Sequence, residues 1–508
     1  MSNSPIFQNS NFFLKARYLD IRTGHPWVVV VHEEDGKVLG IRPGDELVLK
    51  WESKKTEVGV NITRNLVDKG EIGIFRDIFE KYQIKEGEIL ELALAPLPSS
   101  LESIKKKLLG KELNYEEALG IISDIVNYRL DDIQIAFFIA PAFEKSGFSN
   151  QEIYYLTKAM AETGEMMFWE REIVADKHSI GGVPGNRTTP LVVSIIASLG
   201  ILIPKTSSRA ITSEAGTADV IETVAPVEFD MEKIKEIVNK ANGCIVWGGS
   251  LRLAPADDRI LRVSYSFGIE PLSKMIISVM SKKVAIGATH LVIDLPIGKG
   301  LKIKKISEAK KTEEIFLFLA KKFNIKTRVV IDKISGPIGR GIGPALEIRD
   351  VLMVLEQKEN RPLDLEKRAG RLAGALLEII GKAEYGEGEK LAQNQLSNGE
   401  GLKKFKEIIS LQGGRQDIDS DKIILGSAKK EILAEKGGVV EDIDSKAIIR
   451  IARLLGSPST KEAGVYLNKI IGERVEKGEV LATLYTNSDQ RISLAMNELS
   501  KINLFQIK

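Results

Sequence analysis

Short runs of β-branched and aliphatic residues, bounded by glycine and proline, dominate the beginning of the chain. The runs at 27–31 and 47–49 have the length and composition of β-strands. Two segments, 41–49 and 84–92, share the pattern Ile-x-x-Gly-acid-x-Leu-x-Leu. Because such a repeat suggests a pseudo-twofold barrel, we predict a β-rich N-terminal domain at 1–95 that is similar to a double-psi barrel. No catalytic set is evident in it, which favours a role in assembly or docking.

Helical spacing replaces the strand pattern after a Pro-Leu-Pro linker. Capping boxes, in which a serine is followed three residues later by a glutamate, begin at Ser99 and Ser149. Asn114 and an aspartate at 131–132 mark the starts of two more helices. The apolar residues behind these starts recur at helical intervals. We therefore predict a small all-α domain at 96–170.

From residue 171 onward, buried-strand patterns alternate with helical patterns, which is typical of a mostly parallel sheet. This predicts a large α/β domain at 171–256 and 288–410. The helical stretch between these segments, at about 257–287, is assigned to the α-helical domain. A C-terminal α+β domain is predicted at 411–508. The predicted strands of the α/β domain are 173–175, 244–247, 291–295 and 327–331, and its predicted helices include 231–241, 306–323 and 344–356.

Composition changes this picture little. The 508 residues are 43% hydrophobic and 28% charged, with a net charge of +2, so nothing favours a nucleic-acid or membrane partner. Cys244 is the only cysteine, which excludes an internal disulfide and fits a cytoplasmic location. The N-terminus lacks the layout of a signal peptide, and no uncharged apolar run reaches the ~18 residues of a membrane-spanning helix. Asp294 has no companion ligands at a suitable spacing, so no metal site is predicted.

Glycine, lysine and hydroxyl side chains converge in a first loop, residues 176–189, at a predicted strand-to-helix turn. Gly181 and Gly182 let backbone N–H groups approach an anion, the following helix adds its N-terminal dipole, and Lys177 adds a full charge. We interpret the loop as a phosphate site; a plain strand-to-helix turn is the alternative. The P-loop pattern Gly-x-x-x-x-Gly-Lys-Ser/Thr is absent, so nucleoside triphosphate hydrolysis is not favoured. The hydroxyl donors of the first loop are Ser179, Thr188 and Thr189.

A second loop, residues 207–217, follows an apolar helical run at 191–199 and again combines hydroxyl side chains with a cation. Arg209 offers a planar guanidinium that can bind two phosphate oxygens at once. Two anion-binding loops suggest two phosphates, or one phosphate and a sugar; a solvated turn is the alternative. The hydroxyl residues of the second loop are Ser207, Ser208, Thr212, Ser213 and Thr217.

Long and specific motifs follow one another along residues 99–508. They are Lys-His-Ser-x-Gly-Gly-Val at 177–183, Ala-Gly-Thr at 215–217, Ser-Val-Met-Ser-Lys-Lys at 278–283, the segment 337–347 and Gln-Gly-Gly at 412–414. In these motifs the chain resembles the thymidine/pyrimidine-nucleoside phosphorylase family. Within that family it is most similar to the archaeal AMP phosphorylases, which share the Pro-Gly-Asn form of the first loop and an additional N-terminal domain.

The resemblance implies phosphorolysis, in which inorganic phosphate attacks C1′ of AMP and adenine and ribose 1,5-bisphosphate are formed. It implies CMP and UMP as further substrates. Phosphate would be a co-substrate, and no cofactor is implied. The resemblance also implies a homodimer that forms through the α-helical domain, with a larger homo-oligomer possible through the terminal domains.

Roles for individual residues are also implied by the resemblance. Lys282 matches a lysine that contacts the base in the nucleoside enzymes, and Glu270 stands where the AMP enzymes have a catalytic aspartate. Because glutamate is one methylene longer, Glu270 as proton donor would need a pKa raised by burial. The residues that match inorganic-phosphate ligands are Lys177, Ser179, Thr189, Ser207 and Thr217. Those that match AMP-binding positions are Gly182, Ser208, Arg209, Ala210, Ile211, Thr212, Ser213, Thr217, Ser278 and Lys302.

Several alternatives stay open at this point. Asp257 and Asp258 are fallback proton donors, although both are more simply interpreted as solvated loop acids. Val263 stands where the pyrimidine-nucleoside enzymes have an arginine on the base, which is compatible with a broader base pocket. The alternative functions are a pyrimidine-nucleoside phosphorylase, a Mg²⁺-dependent phosphoribosyltransferase of the same fold and a non-enzymatic assembly protein.

Overall fold

The structure is a computed structural model. The chain divides into two compact units, Met1–Ser146 with Arg262–Phe267 and Gly147–Leu261 with Gly268–Lys508. The predicted α-helical domain, 96–170 with about 257–287, includes residues of both units, and the boundaries of all four predicted domains stay predictions. The residues that the structure describes are 6–8, 11–24, 27–144, 147–210, 213–265 and 271–508.

Six strands of the first unit close into a barrel. The elements of this region are β1 Ile6–Gln8, β2 Asn11–Leu19, β3 Val28–His32, α1 Glu33–Leu39, β4 Glu46–Trp51, β5 Lys54–Thr63, β6 Glu71–Phe75, α2 Arg76–Tyr82 and β7 Ile89–Leu94. The strand order is β2-β6-β3-β5-β4-β7, and β7 pairs again with β2. Two of the pairs, β2 with β6 and β3 with β5, are parallel. The remaining pairs of the ring are antiparallel, so two matching halves make up the barrel.

The sequence repeat corresponds to a structural repeat of strand, short helix and strand. Its two copies are β3-α1-β4 and β6-α2-β7. In the turn before the last strand of each copy, a glycine N–H donates to a barrel carbonyl at 2.8 Å. These bonds run from Gly44 to Val60 and from Gly87 to Ala16. The predicted β-rich duplication is therefore present, while its assignment to the double-psi type stays a prediction.

Three helices follow the barrel in the first unit: α3 Ser100–Leu108, α4 Tyr115–Val126 and α5 Asp132–Ile139. The predicted helix starts at Asn114 and Asp131 are confirmed, and both side chains form capping boxes. The predicted box at Ser99 is wrong. Ser99 already has helical backbone angles and caps no N–H, and the Glu102 side chain instead accepts from Lys105 at 2.7 Å.

A parallel sheet forms the centre of the second unit. Its strands are β8 Ala175–Ser179, β9 Ile203–Ser207, β10 Gly243–Trp247, β11 His290–Ile297 and β12 Lys326–Lys333. β11 lies between β12 and β8, and β9 pairs with β10. A parallel bridge between Val174 and Leu202 gives the order β12-β11-β8-β9-β10. The predicted strand at 173–175 is wrong in its bounds, because β8 continues through charged residues to Ser179.

Helices alternate with these strands, and α7 is buried along its whole apolar run. They are α6 Asn150–Glu162, α7 Thr188–Ser198, α8 Thr217–Ile221, α9 Met231–Ala241, α10 Pro255–Tyr265, α11 Leu272–Ala285, α12 Ile306–Lys322, α13 Pro344–Leu355, α14 Leu363–Ile380, α15 Gly388–Ser397 and α16 Glu400–Leu411. The predicted capping box at Ser149 is confirmed at the start of α6. α7 packs against α14, α15 and α16. Across the described ranges, no helix is long and apolar enough to cross a membrane.

Two antiparallel sheets and two helices make up the C-terminal part of the second unit. The elements are β13 Gly341–Ile342, β14 Ala428–Leu433, β15 Gly438–Ile443, α17 Ser445–Leu455, β16 Gly464–Leu467, β17 Arg474–Val475, β18 Val480–Thr486, α18 Asp489–Leu499 and β19 Phe505–Ile507. The strand orders are β13-β16-β18-β14 and β17-β15-β19. β13 belongs to the turn before α13, so its pairing with β16 attaches the C-terminal sheet to the α/β part.

The corrected cap assignments lead to a paired test. Asn114→Ala removes the acceptor for a first-turn N–H of α4, which costs about 1 kcal/mol for such a cap. We expect amide hydrogen exchange in that turn to become about fivefold faster. Ser99→Ala should leave exchange at the start of α3 unchanged, since Ser99 caps nothing. Equal effects of the two substitutions would contradict the assignment.

Candidate active site

The first loop leaves the C-terminal end of β8, where only 1% of the Lys177 side chain is exposed. The Lys177 ammonium donates hydrogen bonds to Ser179 Oγ at 2.7 Å, Thr188 Oγ1 at 2.8 Å and Thr189 Oγ1 at 3.4 Å. Because Thr188 and Thr189 open α7, a strand end and a helix N-terminus meet at this lysine. The structure therefore brings together Lys177, Ser179 and Thr189, three predicted phosphate ligands.

A buried carboxylate lies opposite this ammonium. Asp294 is the register partner of Ser179 on β11, and its Oδ2 lies 4.0 Å from Lys177 Nζ. It accepts hydrogen bonds from the Ser179 hydroxyl and from Arg368 on α14. Sequence reasoning considered Asp294 only as a metal ligand, and it missed Arg368. The available signal was an arginine on the buried, apolar face of α14.

Burial makes the positive charge of Lys177 costly. It lowers the pKa of Lys177 to about 8, while the attraction of Asp294 opposes the shift and the repulsion of Arg368 adds to it. A phosphate bound beside the ammonium would supply negative charge and stabilise the protonated form. Burial and the nearby lysines, Lys283 foremost, hold the pKa of His178 well below its usual range, so the imidazole is neutral.

Asp176, directly before Lys177, binds two further buried lysines. Its Oδ2 accepts from Lys283 of α11 at 2.6 Å, and its Oδ1 lies 3.5 Å from Lys205 Nζ on β9. Burial by itself would raise the pKa of Asp176, but Lys205 and Lys283 lower it overall, so the carboxylate is charged. This cluster joins β8, β9 and α11 inside the fold.

The glycine turn of the first loop lies against Lys302. Gly182 has a φ of 107°, which side chains avoid, and a Cβ there would lie 3.6 Å from the backbone N of Lys302. A Cβ on Gly181 would meet open space. Gly182 and Lys302, both predicted to bind AMP, are therefore neighbours.

The end of the first loop is fixed against the turn before α13. Gly185 has a φ of 70°, and a Cβ there would lie 2.4 Å from Ile338 O, so only glycine fits. Arg187 pairs with Glu347 of α13 and donates to Ala215 O in the second loop. Burial raises the pKa of Glu347 to about 8, although Arg187 opposes the shift. Arg187 thus connects the two loops.

Ser207 is the last residue of β9, and its hydroxyl lacks a hydrogen-bond partner among the described residues. The bridge between Val174 and Leu202 sets the register of β8 and β9, and continuing it along both strands places Ser207 level with Ser179. The Ser207 Oγ is buried and makes no hydrogen bond to any described residue. Leaving such a group unsatisfied costs about 1–3 kcal/mol. A ligand oxygen at this point would therefore be stabilised.

Arg209 is held by carboxylates of its own neighbourhood. Its Nη atoms lie 2.6 and 2.7 Å from Glu222, 2.8 Å from Glu228 and 3.3 Å from Asp219. Its Cζ lies 5.0 Å from the ring centre of Trp247. In this arrangement Arg209 supports the second loop, and its contact with phosphate stays a prediction.

Asp219 accepts hydrogen bonds from two separate parts of the second loop. Its Oδ2 accepts from the backbone N–H of Ala210 at 2.7 Å and from that of Gly216 at 2.8 Å. These bonds hold the two ends of the loop together. Of the predicted AMP ligands, Ser208, Ala210, Ser213 and Thr217 lie in this loop, whereas Ile211 and Thr212 lie outside the described residues.

Ser278 and Lys282 form a separate cluster around Asp257. Ser278 Oγ lies 2.6 Å and Lys282 Nζ 2.5 Å from Asp257 Oδ2. Asp257 lies on α10 and is 1% exposed, so its interpretation as a solvated loop acid is wrong. Burial would raise the pKa of Asp257, but Lys282 and Ser278 lower it overall, which makes the group a charged acceptor and not a proton donor. Asp258, the next residue, is exposed.

Two further predictions concern positions near α10. Val263 lies on this helix and is 7% exposed, so an apolar side chain is accommodated there. Glu270, the predicted proton donor, lies outside the described residues. Its role stays a prediction.

Family models match three parts of the chain. They are the glycosyl transferase family helical bundle domain at 101–164, the glycosyl transferase family α/β domain at 171–402 and the pyrimidine nucleoside phosphorylase C-terminal domain at 439–504. Among solved structures, the anthranilate phosphoribosyltransferase of Thermus thermophilus shares the fold. It covers 61% of this chain and 99% of its own, with a TM-score of 0.52 and 19% identity. The chain is thus a glycosyltransferase of the pentosyltransferase class.

Relatives named AMP phosphorylase match almost the whole chain. The AMP phosphorylase of Methanocaldococcus jannaschii is 43% identical over 98% of this chain and 97% of its own length. The AMP phosphorylase of Thermococcus kodakarensis is 43% identical over 95% of both. The chain belongs to the AMP phosphorylase family. The resemblance inferred from its motifs is therefore confirmed.

The two glycines of the first loop provide a matched pair of variants. Gly185 has a positive φ, and the Cβ of Gly185→Ala would clash with a backbone carbonyl. We therefore expect the free energy of unfolding to fall by about 2–4 kcal/mol. The Cβ of Gly181→Ala would lie in open space, so this substitution should change the free energy of unfolding by less than about 0.5 kcal/mol. Denaturant unfolding without ligands measures both. A Gly185→Ala variant with the wild-type free energy of unfolding would contradict this packing.

Proposed function

We propose that this protein catalyses the phosphorolysis of AMP. Inorganic phosphate attacks C1′, the bond between C1′ and N9 breaks, and adenine and ribose 1,5-bisphosphate are released. The observation that carries this proposal is 43% identity over 98% of the chain to a protein named AMP phosphorylase. The buried donors around Lys177 support it, because phosphorolysis requires a site for a phosphate dianion.

In the proposed mechanism the first loop holds the attacking phosphate. The Lys177 ammonium and the hydroxyls beside it bind and orient the dianion, and Ser207 completes the set from β9. The dianion faces a sugar carbon that gains positive charge in the transition state, so its position provides electrostatic stabilisation. The proposed phosphate ligands are Lys177, Ser179, Thr189, Ser207 and Thr217.

The second loop and α11 hold the nucleotide in this proposal. Asp257 keeps Lys282 and Ser278 in place, so that Lys282 can contact the base. The departing adenine accepts a proton, which we assign to Glu270. The proposed nucleotide ligands are Gly182, Ser208, Arg209, Ala210, Ile211, Thr212, Ser213, Thr217, Ser278 and Lys302.

We further propose that the enzyme needs no cofactor and no metal and acts in the cytoplasm as a homodimer or a larger homo-oligomer. The N-terminal barrel would serve this assembly as a double-psi domain. The proposed domains are 1–95, 96–170 with about 257–287, 171–256 with 288–410, and 411–508. CMP and UMP are proposed as additional substrates.

A pyrimidine-nucleoside phosphorylase is the second candidate function. The match to the pyrimidine nucleoside phosphorylase C-terminal domain at 439–504 favours it. The buried, apolar Val263 argues for the AMP enzyme, because the nucleoside enzymes are expected to place an arginine on the base at that position. The presence of the 5′-phosphate on the preferred substrate separates the two functions.

A substrate comparison tests the proposed function. Purified enzyme is supplied with phosphate and with AMP, adenosine, thymidine, CMP or UMP, and the release of base is measured. We expect AMP to be cleaved with the highest kcat/KM, and we expect EDTA to have no effect. Faster cleavage of thymidine would favour the nucleoside enzyme, and loss of activity in EDTA would favour the phosphoribosyltransferase.

The protonation of Lys177 predicts how phosphate binding depends on pH. Its pKa of about 8 means that the ammonium is charged below pH 8 and neutral above it. We expect the KM, expressed as the concentration of phosphate dianion, to be steady below pH 7.5 and to rise about tenfold per pH unit well above pH 8. Lys177→Met should lower kcat/KM for phosphate by at least about 100-fold and abolish this pH dependence.

Lys233 provides a matched control for this experiment. It lies on α9, where 43% of its side chain is exposed and it pairs with Glu236. Lys233→Met should retain the wild-type KM and pH profile. A wild-type KM for phosphate that stays constant up to pH 9.5 would show that Lys177 does not control phosphate binding.

A further inference from the structure

The C-terminal part of the second unit contacts the backbone of the second loop. Arg453, in the last turn of α17, donates from Nε to Ser213 O at 3.1 Å. Ser457, shortly after this helix, donates from Oγ to Glu214 O at 2.7 Å. Ser457 is only 5% exposed, so water does not compete for this bond. Neither donor lies in a segment to which the motifs assign substrate contacts.

Lys461 adds a third contact from the same segment. Its Nζ lies 2.8 Å from Glu222 Oε2 and 3.7 Å from Asp219 Oδ1. These carboxylates are the ones that hold Arg209 and the ends of the second loop. The C-terminal part therefore holds the loop both at its backbone and at its carboxylate support.

The direction of these bonds determines which side of the loop faces an anion. Three consecutive carbonyls, at 213–215, accept from Arg453, Ser457 and Arg187 in turn. A peptide unit is planar, so its N–H points away from its C=O. Fixing the carbonyls of 213 and 214 therefore fixes the N–H groups of Glu214 and Ala215 on the opposite side. The carbonyl lone pairs, which would repel phosphate oxygens, are directed away from that side.

The end of α17 that carries these donors is itself well anchored. Thr486 on β18 donates from Oγ1 to Leu455 O at 2.7 Å, and Arg491 on α18 donates to Leu454 O at 3.1 Å. Both bonds use carbonyls that have no partner within the helix. The C-terminal sheet and α18 thus determine where Arg453 and Ser457 lie.

We propose that Arg453 and Ser457 are positioning residues for the nucleotide. By holding the carbonyls of Ser213 and Glu214, they shape the second loop to receive the 5′-phosphate of AMP. The C-terminal part is thereby a component of the nucleotide site. This inference rests on the proposed phosphorolysis of AMP. Because the attacking phosphate is assigned mainly to the first loop, losing these bonds should weaken AMP binding and leave phosphate binding largely intact.

The test uses the full-length variants Arg453→Met and Ser457→Ala. We measure kcat, the KM for AMP at saturating phosphate and the KM for phosphate at saturating AMP, and the Kd for AMP by calorimetry without phosphate. We expect each variant to raise the KM and Kd for AMP about tenfold, the usual effect of losing one such hydrogen bond. The KM for phosphate should stay within about twofold of wild type. Arg453→Lys should restore part of the affinity, since an ammonium can still donate to the carbonyl.

Arg450→Met is the matched control. Arg450 lies on the same helix, where 64% of its side chain is exposed and it pairs with Glu498 at 2.9 Å, away from the second loop. Its substitution should leave all constants at wild-type values. Ser457→Ala removes a single hydroxyl, so it decides the question even if Arg453→Met does not fold.

The outcomes separate this inference from the proposed function. If wild type cleaves AMP but Ser457→Ala binds it as wild type does, the inference is overturned and the function stands. Equal increases in both KM values would also overturn it, because they would indicate a general structural effect. Failure of wild type to cleave AMP would overturn the proposed function itself, whatever the variants do.

Discussion

Buried cations in this fold are stable only because buried carboxylates lie beside them, and the site depends on this constraint. The buried pairs are Lys177 with Asp294, and Lys205 and Lys283 with Asp176; the buried Asp257 lies beside the half-buried Lys282. The carboxylates come from β11, β8 and α10, so each pair joins elements that are distant in sequence. Removing one partner of a buried pair typically costs about 3–5 kcal/mol. The charges that would bind phosphate and the packing of the sheet are therefore specified by the same residues.

Hydrophobic periodicity predicted the fold well wherever apolar residues determine the element. The predicted helix at 231–241 coincides with α9, because its buried face is a regular row of aliphatic side chains. The same reasoning failed for β8, in which charged and polar residues occupy most of the strand. In a short stretch of sequence, a charged residue is interpreted as part of a loop unless the residue that neutralises its charge is known. Here the partners, such as Lys283 and Asp294, lie more than 100 residues away, so periodicity in a short window cannot reveal them.

Motifs located the candidate site, but they could not show which charges neutralise one another within it. Lys177 and its hydroxyl partners are neighbours in the fold because β8 ends where α7 begins, a relation that the strand-to-helix pattern already contained. The burial of Asp257 depends on contacts between separate helices, and the three carboxylates around Arg209 come from α8 and the residues that follow it. Such contacts follow from the packed structure, and neither composition nor spacing encodes them locally.

The burial of α7 has a consequence for how the protein is made on the ribosome. Thr188 and Thr189 begin this helix and most of its buried residues are apolar, yet the helices that cover it, α14 to α16, are synthesised much later and end at Leu411. Until they emerge, a nascent chain exposes an aliphatic helix and lacks a fixed first loop. The candidate phosphate site is thus completed only after most of the polypeptide has been translated, and the incomplete chain is the form that most needs chaperone protection.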